Sequence, residues 1–157
     1  MRLVALTALA AAILLAAGPQ SRPARASDLP GIWMMVDITS TAPLDPQDTL
    51  FAPYQIFAFD KKGGMKHMTS AKPFTGGQLS LFDAAPQITR YGVDRNGILA
   101  LVNPSWEAPL KYQCRFVTKT KDGGDPKSPH EGDLLLISTD DRGREAWSKL
   151  LRKGRPD

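Results

Sequence analysis

One cysteine and two histidines in 157 residues leave little material for the common side-chain chemistries. Cys114 alone forms no internal disulfide, so an exported chain of this kind must be held together by its core. No phosphate-binding glycine loop, H-E-x-x-H, G-x-S-x-G or zinc quartet is present, so no motif supports catalysis. A heptad repeat and a G-X-Y period are also missing, and 42% hydrophobic residues are too many for a solvated coil. The length fits one domain. The one long apolar run, at 3–17, is short of the roughly 20 residues a bilayer span requires, and no second run follows.

A basic excess is missing too once the charges are located. The net charge of +4 and pI of about 9.3 suggest a nucleic-acid or membrane-surface partner. Residues 1–26, however, hold Arg2, Arg22 and Arg25 and no acid, and taking these three from the 20 basic residues leaves a net of +1 against 16 acids. Neither partner is expected for the remainder. Met1-Arg2, the apolar run 3–17 and Ala24-Arg25-Ala26 read as a signal peptide cleaved after Ala26. The expected organisation is a leader over 1–26 and one domain over 27–157, periplasmic or secreted, with no membrane span after cleavage.

The domain reads as strands. Residues 31–37 are short and apolar, and 38–53, with Pro43, Pro46 and Pro53, form a long loop. Residues 54–60 and 65–70 flank Lys61-Lys62-Gly63-Gly64 as a hairpin. Residues 87–93 and 98–102 flank Asp94-Arg95-Asn96-Gly97, where Asn-Gly suggests a type I′ turn. Over 109–119 the apolar Leu110, Tyr112, Cys114 and Phe116 alternate with mostly polar neighbours, so one face is buried. Residues 133–139 form another strand after the solvated loop 120–132. In the tail, Trp147, Leu150 and Leu151 sit at helical offsets, yet the turn residues 141–143 before them suit a returning strand equally. Residues 72–86 carry Phe74, Leu79, Leu81 and Phe82, too apolar to stand free, and serve either as a lid hinged at Gly76-Gly77 or as a short helix on the wall.

Seven or eight strands without a βαβ unit indicate an all-β, up-and-down antiparallel barrel or a sandwich. Gly31-Ile32-Trp33 opening the first strand, a long loop, successive hairpins and a closing strand resemble the lipocalin-like (calycin) barrels. The phrase YQIFAFDKKGGMKHMTS and the ending on Trp, a spacer and a basic residue are similar to small exported bacterial members. The resemblance implies that the tail is a strand and that Gly31 and Trp33 plug the closed end. It places Lys149 over the Trp33 ring where Arg is usual, with Arg152 as a substitute. It also implies a barrel that holds a small apolar ligand or, in tightly packed members, nothing.

The expected function is therefore non-catalytic binding of a small apolar or amphipathic molecule, with Tyr54, Ile56, Tyr112, Cys114 and Phe116 facing inward. Arg90, on a face with Ile88, joins them as an anion-binding or rim residue. An apolar void of about 300 Å³ or more would support this reading. The alternatives are a solid-cored partner or modulator of another exported protein, and a copper carrier using Met65 and His67, which share a strand face. No resident cofactor is expected, and an isomerase or cyclase on the same barrel is a further class. Asp122, Asp125, Glu131 and Asp133 match no regular calcium loop, and His130 lies in a solvated loop.

Overall fold

The computed structural model describes residues 19–45, 47–120 and 124–156. Its elements are β1 (Gln20–Pro23), β2 (Gly31–Ser40), β3 (Tyr54–Phe59), β4 (Gly64–Ser70), α1 (Gly76–Ala84), β5 (Thr89–Val93), β6 (Ile98–Val102), β7 (Leu110–Lys119), β8 (Leu134–Thr139) and β9 (Glu145–Lys153). Strands β2 to β9 pair antiparallel with their sequence neighbours, and β9 returns to β2. The result is a closed eight-stranded barrel without a free edge. Among the described residues no helix is long and apolar enough to cross a membrane.

The tail is β9. Its helical offsets are overridden by ladders on both sides, with Met35 and Leu134 each opposite Leu151. Its alternation then puts Trp147, Lys149, Leu151 and Lys153 on one face. Strand β2 runs three residues beyond the expected 31–37, because Ile38, Thr39 and Ser40 pair with Lys149, Ser148 and Trp147.

Three hairpins use one device, Asp-x-x-Gly. Asp60, Asp94 and Asp140 each accept two backbone N–H groups, from residues two and four positions on, at 2.7–2.9 Å. Gly63, Gly97 and Gly143 follow at φ of 82°, 79° and 73°. The expected type I′ turn at Asn96-Gly97 is corrected: no described non-glycine residue has positive φ, so only Gly97 takes the left-handed conformation, as in a type I turn with a G1 bulge. The N–H groups of Gly64 and Arg144 hold the Asp60 and Asp140 carboxyls below the usual range.

Strand β3 is buried on both faces. Ile56 and Ala58 point outward and are covered by Leu79 and Phe82 of α1, while Phe57 and Phe59 belong to the core inside the barrel. Helix α1 is capped by Thr75, whose hydroxyl accepts from the Gln78 N–H at 3.3 Å, and tied by the Asp83–Arg155 pair. It covers the barrel wall.

At the closed end Trp33, 1% exposed, donates its indole N–H to the Leu29 carbonyl at 2.7 Å. The ammonium over its ring belongs to Lys153, at 5.2 Å, and not to Lys149 or Arg152. The phase of β9 explains the correction: Arg152 faces the other way and forms a two-point pair with Asp133 at 2.8 and 3.1 Å. Gly31 is favoured here by its φ of 138°, a backbone conformation that L side chains rarely adopt, and a Cβ would also push aside the mobile end of Lys153, 2.6 Å away.

Residues 20–29 complete that end. Strand β1 lies along the second half of β7, Ala24 is 1% exposed and donates to the Cys114 carbonyl at 2.9 Å, Arg115 bonds Ser21, and Arg22 pairs with Asp28 at 2.7 Å. A cut after Ala26 would remove β1 and break the Arg22–Asp28 pair.

Two stability measurements check this arrangement. Trp33→Ala is expected to cost about 3–5 kcal/mol in denaturant unfolding, the range for a buried aromatic; a loss below about 1 kcal/mol, the scale of surface changes, would remove Trp33 from its plug role. A chain starting at Ser27 is expected to unfold at lower denaturant than one starting at Pro19, and equal midpoints would show that β1 contributes nothing.

Candidate functional site

A cavity of about 260 Å³ lies inside the barrel. Phe57 and Phe59 from β3, Leu99 and Leu101 from β6, Tyr112 from β7, Leu136 from β8 and Trp147 from β9 form its apolar walls. Leu50, Trp106 and Leu110 stand where the β2–β3 and β6–β7 connections meet one end, and Trp106 (38%) and Leu110 (43%) are exposed there. The wall is thin on one side, since β4 and β5 pair only through Gly64↔Arg90 and Met65↔Thr89. His67, two residues further along β4, is accessible to solvent yet lines the cavity.

A polar cluster interrupts the apolar lining. Gln55, 1% exposed, donates both amide N–H bonds to the carbonyls of Leu50 and Ala52, at 2.8 and 2.9 Å. These carbonyls belong to the 3₁₀ turn Thr49–Phe51 and its C-cap, and that turn is N-capped by Asp48, so the loop fixes the amide. The Gln55 Oε1 then accepts twice, from the Lys149 ammonium at 2.8 Å and from His67 Nε2 at 3.2 Å. This bond defines His67 as the Nε2–H tautomer and leaves Nδ1 as an acceptor. The imidazole stacks on Phe57 with centroids 4.2 Å apart.

Lys149 is 2% exposed, and its ammonium sits 5.0 Å from the Trp147 ring centroid. Burial pushes it down to about 8, although Asp48 pulls the other way. Although the outer edge of the residue reaches solvent, the ring packed on Phe57 is desolvated, and this first, then repulsion from Lys149, lowers His67 to about 3, so the imidazole is neutral near pH 7. Burial also raises the Tyr112 phenol.

Of the residues expected to bind ligand, the structure brings only Tyr112 to the cavity. Tyr54 and Ile56 lie on the outer face of β3. Burial on both faces erased the alternation from which inside and outside are read. Cys114 is packed in the core and does not line the cavity, and burial pushes its thiol up to about 12. Phe116 lies toward the closed end, under the Arg22 guanidinium at 4.7 Å. Arg90 is exposed and donates to the Lys62 carbonyl outside the barrel. Met65 and His67 do share the lining, as their strand face predicts, but no group of three His, Cys, Asp or Glu is gathered among the described residues. Gly31 and Trp33 meet at the closed end, and Lys149 stands in the cavity instead of beside them.

Gln55, Phe57, Phe59, Leu136 and Trp147 escaped the sequence reading. Two signals were available: a glutamine inside the apolar run of 54–59, and the two-residue spacing of Trp147, Lys149 and Leu151, which sets a lysine on a core face. No family model, no curated protein and no solved structure matches the chain.

The cluster predicts the pH dependence of stability. Between about 3 and 6.5 the unfolded chain holds a His67 proton that the folded chain refuses, so stability falls as pH drops through that window. From about 8 to 10.5 the unfolded chain likewise holds more protons at Lys149, and stability rises with pH. Thermal unfolding of His67→Gln should show a flatter acid limb and that of Lys149→Met a flatter alkaline one; unchanged slopes would mean that neither group is desolvated.

Proposed function

We propose that the chain is an exported, lipocalin-like barrel that binds one small amphipathic molecule and does no chemistry on it. The observation that carries this reading is the cavity itself, set inside the closed barrel and lined from seven of its strands, walled by aliphatic and aromatic side chains, and supplied with one convergent polar cluster. Its 260 Å³ fall short of the roughly 300 Å³ expected of a ligand pocket, so the reading rests on the lining and its polar cluster, and the occupant is small. Binding is favoured over catalysis because His67 is hydrogen-bonded to an amide and not to a nucleophile or an orienting carboxylate. Export rests on the basic and then apolar N-terminal run.

A naphthalene-sized fluorescent dye tests the reading. Uptake should be saturable with one site, and Leu101→Trp, which fills the cavity from β6, should abolish it while the barrel stays folded by circular dichroism. Unchanged uptake in that variant would place binding elsewhere. Cu(I) held against a competing chelator and lost in His67→Ala, with no dye uptake by the parent chain, would give the function to Met65 and His67 instead.

A further inference from the structure

We infer that the occupant is a monoanion, a short-chain carboxylate whose head group pairs with Lys149 while its apolar body lies against Phe59, Leu99, Leu101 and Leu136. The inference rests on the binding function proposed above and names the chemical class of ligand.

The argument begins with the ammonium. Lys149 has three N–H donors, and the structure gives it one hydrogen-bond acceptor, the Gln55 Oε1 at 2.8 Å. That oxygen is shared with His67, and the other neighbour is the Trp147 ring face. No salt bridge among the described residues includes Lys149, whereas Arg22, Arg144, Arg152 and Arg155 each have a carboxylate. Asp48 acts on the ammonium only from beyond salt-bridge distance, so a cation this buried lacks a carboxylate in contact, which is costly, and an anion delivered into the same space removes much of the cost.

The surroundings select the charge and shape of that anion. His67 is kept neutral and adds no second positive charge, and Asp48 already offsets part of the Lys149 charge from a distance, so the site takes no more than one negative charge. A phosphate monoester, with its larger charge at neutral pH, would be left undercompensated in an apolar enclosure. The aliphatic walls on the β6 and β8 side suit hydrocarbon, and the volume limits its length. Gln55 is held by two backbone carbonyls, so the Lys149 head is oriented before a ligand arrives.

Calorimetric titration with hexanoate and with hexanol, which share the hydrocarbon and differ in the head group, is the test. Hexanoate should bind roughly ten- to a hundredfold tighter, the range for a hydrogen bond to a charged group. In Lys149→Met the two should bind within about twofold of each other, with hexanol binding retained as proof that the cavity survives. Equal binding of the two by the parent chain would overturn the monoanion and leave the binding function standing. A preference that persists in Lys149→Met would also overturn it, by locating the anion site elsewhere. Benzoate and benzyl alcohol as a second pair separate shape from charge: if hexanoate fails and benzoate shows the Lys149-dependent preference, the monoanion stands and the short chain does not. If none of hexanoate, hexanol, benzoate and benzyl alcohol binds, the binding function fails and this inference falls with it.

Discussion

The pairing of β9 with β2 is the constraint on which the rest of the molecule depends. It turns a meander into a closed wall and so gives the chain an inside. Once closed, every second residue of β9 is committed to that inside, whatever its chemistry. Leu151 joins the core, Lys153 reaches the Trp33 ring, and Lys149 is carried into the cavity. The same ladder that stabilises the barrel thus buries an ammonium, and Gln55 is placed to receive it. The cluster follows from closure geometry combined with one glutamine on the inner face of β3, two strands from β9.

The barrel tolerates this cluster because each of its polar atoms has at least one hydrogen-bond partner. Among the described residues no buried side-chain nitrogen or oxygen lacks a hydrogen-bond partner. Gln55 uses both donors on backbone and its oxygen on two side chains, which makes it a fixed hub. Removing a hub of this kind strands several groups at once, whereas an isolated surface pair is nearly dispensable.

Much of the wall was legible in the sequence. Strand β7 announced itself, since water on one face and core on the other produce an alternation that survives in the residue types. Strand β3 was found but its phase was not, because α1 covers its outer face and apolar residues occupy both sides. The place of Lys149 was missed because a lysine reads as a surface residue until its partner is known, and the partner lies 94 residues away. The repeated Asp-x-x-Gly of 60–63, 94–97 and 140–143 was in plain view, yet Asn96-Gly97 drew the reading to a different turn. In that turn the aspartate carboxylate sets the loop and the asparagine does not.

Those three turns bear on the order in which the molecule assembles. Each sets its register within a few residues, so the β3–β4, β5–β6 and β8–β9 hairpins are local structures. The contact that closes the barrel is the opposite, with Thr39 and Ser148 separated by 109 positions, and the docking of β1 on β7 is equally distant, with Ser21 and Arg115 separated by 94. Long loops are closed late because their entropy must be overcome before their contacts form. The cavity comes into existence only with that closure, so an occupant has nothing to bind during the early steps. Its effect falls on the finished barrel, where it would lengthen the lifetime of the closed state without hastening its formation.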